Sequence, residues 1–251
     1  MNNLQFTNDP ITLAFSLIGG LVPALIWLWF WLKEDKEEPE PTGLVMLTFL
    51  LGMVAVIVVL PIQKYLYTQF ASQDTLVVLW AASEEILKFI VVAVIAFTSS
   101  YITKPVSYPI YCIAGALGFA ALENALFLVH PVGLSDTTVS LLTGNLRFLG
   151  STLLHATATG MVGLMLGLAF FQPRIIKFFS FVAGLVLAIG LHSVFNFFIM
   201  QNNGENFLQV FAFLWVVAII SMLVFEKLRR MGEPILLRNV RIREANGRLM
   251  I

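Results

Sequence analysis

Seven stretches of apolar residues alternate with short polar connections along the chain, at roughly 11–32, 43–62, 75–98, 108–129, 146–171, 178–200 and 208–225. A helix of about 20 apolar residues spans the hydrocarbon core of a bilayer. The pattern therefore predicts an all-α fold: a polytopic membrane helical bundle of about seven transmembrane helices. No Ser/Gly-rich linker, low-complexity segment or internal repeat interrupts it. One bundle over 1–225, followed by a basic tail over 226–251, accounts for the whole pattern. Composition agrees, with 59% hydrophobic and 12% charged residues among 251, against about 25% charged in a soluble domain.

Lysines and arginines set the orientation. Connections after the odd-numbered spans hold Lys33, Lys36, Lys104, Arg174, Lys177 and the tail's Lys227, Arg229, Arg230, Arg238, Arg241, Arg243 and Arg248. The other side holds Lys64 and Arg147. The N-terminus is expected outside and the tail in the cytoplasm, where its basic residues would lie near lipid head groups. The first apolar run lacks a preceding basic region and exceeds a signal-peptide core, so a retained helix is expected. The first connection, KEDKEEPEP over 33–41, reads as a solvated turn. Zero net charge gives no reason to expect nucleic acid, and a lone Cys112 excludes an internal disulfide or a thiolate-rich metal site.

Ionisable groups inside the spans change the picture, because each costs at least about 2.5–3.5 kcal/mol near the bilayer centre. The third span carries Glu84, Glu85 and Lys88, the fourth Glu123 and Asn124, the fifth His155, and the sixth His192 and Asn196. Glu84 and Lys88 share a helix face, as do His192 and Asn196. Glu84 and Glu85 point about 100° apart, so one can face a cavity while the other braces a neighbouring helix. With the orientation above, Glu84, Glu123, His155 and His192 all fall at roughly 9–15 Å depth in the outer half of the bilayer. A shared level on four helices suggests one site. Gly115, Gly118, Gly160, Gly163, Gly167, Gly184 and Gly190 flank these positions and are expected to let the helices pack closely.

Carboxylates and imidazoles without an adjacent nucleophilic Ser or Cys point to an activated water. One glutamate could take a proton from water while the other holds Lys88. His192 and Asn196 could offer N–H groups to an oxyanion, and His155 could position the water or shuttle its proton. The reading needs no cofactor. Three alternatives stand beside it, two of them using the same residues. Glu123, His155 and His192 could ligate zinc, although the His-Glu-x-x-His spacing is absent; the set could relay protons in a transporter; or the protein could be a receptor or scaffold, which leaves the polar cluster unexplained.

The E-E-x-x-K run at Glu84, Glu85 and Lys88, the F-x-x-x-E-N run at Phe119, Glu123 and Asn124, the isolated His155 and the H-x-x-x-N pair at His192 and Asn196 resemble the PrsW family of intramembrane proteases. That family is distantly similar to CAAX prenyl endopeptidases and bacteriocin-processing proteases. The E-P-E-P of Glu38, Pro39, Glu40 and Pro41, with Asp35 upstream, resembles the family's first loop. The resemblance implies a peptidase of the bacterial or archaeal plasma membrane, cutting a membrane-anchored substrate of the anti-sigma-factor kind on its extracytoplasmic side. It implies Glu84 as the base, His155 as its assistant, and His192 with Asn196 as the oxyanion site. Glu85 and Lys88 would organise the first motif, and Glu123 matches the second. Both zinc-dependent and metal-free, glutamate-dependent chemistry have been ascribed to such enzymes. CAAX enzymes place a basic residue one position later in the first motif and a His in the second, so prenylated substrates are not implied.

Overall fold

The computed structural model describes residues 10–34, 39–98, 102–129, 138–200 and 207–248. They form seven helices: α1 Pro10–Glu34, α2 Thr42–Gln69, α3 Gln73–Thr98, α4 Ser107–Val129, α5 Thr138–Leu168, α6 Arg174–Met200 and α7 Phe207–Arg248. No strand occurs among the described residues. Six of the helices are long and apolar enough to cross a membrane. The seventh, α3, has 26 residues, enough at 1.5 Å per residue for about 39 Å, and differs from the rest by carrying Glu84, Glu85 and Lys88 at its middle. The protein is a multi-pass membrane protein.

The middle of the bundle is α4, buried without a break from Ser107 to Ala121 and packed against α1, α2, α3 and α5. Glycines make that density possible. A Cβ on Gly118 would collide with the Phe49 carbonyl oxygen of α2, and one on Gly52 with the Gly115 carbonyl of α4. Backbones this close leave no room for any side chain. Gly118→Val should therefore destabilise the bundle by about 1–3 kcal/mol or more, measured as a lower thermal midpoint in detergent. Gly190 departs from the packing role expected of it: a Cβ there meets nothing within 4 Å. Gly190→Ala should leave the midpoint unchanged.

Two segments differ from the sequence reading. Glu40, expected in a solvated turn, is buried. It accepts hydrogen bonds from Ser107 Oγ at 2.7 Å and Tyr111 Oη at 2.8 Å, with Lys104 Nζ 3.7 Å away. Ser107 opens α4, so the carboxylate also sits at the positive end of that helix. These partners offset its desolvation. The second difference is α7, which does not stop near residue 225 but continues as helix to Arg248. Hydropathy marks where a helix leaves the membrane, not where its own hydrogen bonding must end. Asp35, Lys36 and Glu38 lie outside the described residues, as do the side chains of Arg147, Arg238, Arg241, Arg243 and Arg248.

Candidate active site

Glu85, fully buried, is the hub of the site. Its Oε1 accepts from Lys88 Nζ at 2.7 Å and from His192 Nδ1 at 2.8 Å, and its Oε2 from Thr159 Oγ1 at 2.7 Å. It thereby ties α3 to α5 and α6. Lys88, one turn further along α3, is equally buried. It lies 2.6 Å from His155 Nδ1, 3.6 Å from Glu84 Oε2 and 4.4 Å from the centroid of the Phe119 ring. His155 continues the chain of contacts, its Nε2 standing 2.7 Å from Glu123 Oε2 on α4.

The 100° separation of the adjacent glutamates divides them as the helix geometry suggests. Glu85 braces α5 and α6, and Glu84 faces a cavity shared with α2 and α4. Glu84 Oε1 accepts from Gln63 Nε2 of α2 at 2.9 Å. Its Oε2 is buried and has no hydrogen-bond partner among the described residues. That oxygen stands 3.7 Å from His192 Nε2.

The neighbours assign the imidazole protons. An ammonium only donates, so His155 Nδ1 accepts from Lys88 and its proton sits on Nε2, directed at Glu123. A carboxylate only accepts, so His192 carries its proton on Nδ1, directed at Glu85. With its Nδ1 hydrogen directed at Glu85, His192 turns Nε2 towards Glu84. Asn196 lines an adjoining cavity of about 90 Å³ with Glu123, Asn124, Ser151, His155 and His192 and with the apolar Phe127, Leu154 and Phe195. Water needs roughly 10–15 Å³ of such space. Asn124 also donates to Thr152 Oγ1 at 3.0 Å, an α4–α5 brace.

Two polar partners escape the sequence reading. Thr159 lies four residues after His155, on the same face of α5, but in the run ATATG it looks like one more small packing residue. Gln63 lies close to the end expected for the second span, where polar residues are ordinary. In the structure α2 continues past it to Gln69.

The zinc alternative can be tested on these contacts. The sequence suggested Glu123 with the two histidines, whereas the structure groups Glu84, His155 and His192, with one candidate ligand atom from each within 4.8 Å of the others. His192 suits a metal, because a carboxylate on Nδ1 leaves Nε2 as the donor atom. Glu84 Oε2, which has no hydrogen bond, suits one too. His155 is engaged at both nitrogens, by Lys88 at 2.6 Å and by Glu123 at 2.7 Å, and would have to release one of them to become the third ligand that a catalytic zinc takes.

Comparison with known proteins places this geometry in a family. Residues 40–224 match the family model described as PrsW family intramembrane metalloprotease. "Protease PrsW" of Bacillus subtilis is 26% identical over 207 residues, covering 80% of this chain and 91% of the relative. The protein of the same name from Geobacillus kaustophilus is 28% identical over 193 residues, covering 75% and 82%. That of Halalkalibacterium halodurans is 26% identical over 228 residues, covering 86% and 100%. No solved structure matches the chain. The matched segment takes in every residue of the buried cluster, and the chain belongs to the PrsW family of intramembrane metalloproteases, as a membrane-embedded peptidase.

Proposed function

We propose that this peptidase hydrolyses a peptide bond of a membrane-anchored protein through a water molecule activated by Glu84, without a metal. The observation that supports the reading is the buried Glu84 Oε2, which has no hydrogen bond and only Lys88 Nζ at 3.6 Å as an ion-pair partner, facing His192 Nε2 at 3.7 Å. A water donating one O–H to each would bridge them. Glu84 takes one proton as the water oxygen attacks the scissile carbonyl carbon, and His192 holds the second O–H and so aims the oxygen lone pair. The carbonyl oxygen, now negative, accepts from the Asn196 amide. When the C–N bond breaks, Glu84 returns its proton to the leaving amine. His155, held between Lys88 and Glu123, keeps α3, α4 and α5 in register around the water.

The apolar walls of the α2–α4 cavity, among them Val56, Leu60, Phe119 and Leu126, suit an apolar stretch of substrate. The substrate class implied by the family resemblance is a single-span protein of the anti-sigma-factor kind, cut near the outer face of a bacterial plasma membrane. The test is co-expression of wild type and Glu84→Gln with single-span candidates, looking for a shortened product made by the wild type alone. A second test addresses the ion. Purified protein stripped by a strong chelator should keep its wild-type rate. Loss of activity restored by zinc would overturn the metal-free mechanism while leaving the protease assignment intact.

A further inference from the structure

Gln63 is a polar residue of α2 that the chemistry above does not use, and the geometry around it is specific. Its side-chain N–H donates to Glu84 Oε1 at 2.9 Å. Its backbone carbonyl accepts from the indole Nε1 of Trp80 at 3.3 Å. Trp80 and Glu84 are one turn apart on the same face of α3. The two helices are thus pinned at two points, one on the backbone of Gln63 and one on its amide. Both Gln63 and Glu84 line the cavity of about 250 Å³ between α2 and α4, so this contact stands at the wall where substrate would lie.

We infer that Gln63 is a positioning residue for the water-activating carboxylate, an inference that rests on the function proposed above. The last torsion of a glutamate is broad and nearly two-fold, so covalent geometry alone does not decide which way the carboxylate plane faces. Lys88 Nζ lies 3.6 Å from Glu84 Oε2, close enough to draw both oxygens towards itself if the carboxylate could turn. The donor on Oε1 opposes that turn and keeps Oε2 directed at His192. A glutamine suits this role because its amide reaches across from α2 and adds no charge to a site already holding three carboxylates and an ammonium. Losing it misaligns the base, which weakens the transition state more than substrate binding.

The test uses purified full-length protein in detergent and a single-span reporter that the wild type cuts. Gln63→Leu, which keeps the bulk and removes the donor, should lower kcat about 10–100-fold with KM within about twofold, as losses of orienting partners do. The same change in a Glu84→Gln background should lower the residual rate no further. Should Gln63→Leu fail to accumulate, Gln63→Met carries the same expectation. A wild-type kcat for the folded variant, or a raised KM with kcat unchanged, would overturn the positioning role and make Gln63 a packing or substrate contact. Full activity in Glu84→Gln would instead overturn the function on which the inference rests.

Discussion

Glu84→Gln should abolish cleavage while the folded protein still accumulates in the membrane. General-base catalysis contributes about 10²–10⁴-fold, so the loss should reach at least the lower end of that range. The fold should tolerate the change because the amide keeps the shape and the hydrogen bond to α2, while Lys88, which loses Glu84 at 3.6 Å, keeps its closer partner Glu85 at 2.7 Å. Its oxygen can still accept from Gln63, which lies 2.9 Å from Glu84 Oε1. Its N–H can face His192 Nε2, 3.7 Å from the present Oε2. What the amide cannot do is take a proton from water. Equal thermal midpoints for the two proteins, with product formed by only one, would establish that separation of stability from chemistry.

Glu85 and Lys88 should behave in the opposite way, failing first as structure. Both are fully buried, and they form a 2.7 Å ion pair. Removing one member of such a pair strands the other charge and costs about 3–5 kcal/mol, a large part of the about 5–15 kcal/mol that holds a typical protein folded. Glu85→Ala would also orphan Thr159 and release His192, which depend on it at 2.7 and 2.8 Å. Lys88→Met and Glu85→Ala should each sharply reduce the folded yield from membranes. Replacing both charges, as Glu85→Gln with Lys88→Met, should recover part of that yield, because a charged Glu85 no longer faces an apolar side chain, while Glu84 still loses the ammonium 3.6 Å from its Oε2. The double variant should still be inactive, since His192 loses the carboxylate that fixes its tautomer. Equal yields for the single and double variants would argue against a pair held by mutual charge.

The helices are legible because hydropathy alone demands them, and the grouping of the site because an ionisable residue in a membrane needs a partner. Glu84, Glu85, Lys88, Glu123, His155 and His192 can be brought together from depth and helix count. What depth does not supply is the wiring. The proton position on His192 depends on Glu85 lying against Nδ1, a contact between α3 and α6 that no spacing encodes. For the same reason, no spacing shows that Glu84, His155 and His192 each bring a possible ligand atom within 4.8 Å of the others. Glu40 is misleading because a run of charges between two spans looks solvated, and only its position at the start of α4 reveals the hydroxyls that receive it. Gln63 stays inconspicuous because a polar residue near the end of a span needs no special explanation. Each miss concerns which helix stands opposite, information carried by packing such as the Gly118–Phe49 approach and not by periodicity.

The central claim is that water, made reactive by Glu84, attacks the peptide bond directly, and a single turnover in ¹⁸O-labelled water tests it. With enzyme in excess over a single-span reporter, the new C-terminal carboxyl of the product should carry one labelled oxygen, and the protein none. An unlabelled first-turnover product, with the label appearing in the Glu84 side chain instead, would mean that the carboxylate itself attacks, and would contradict the account.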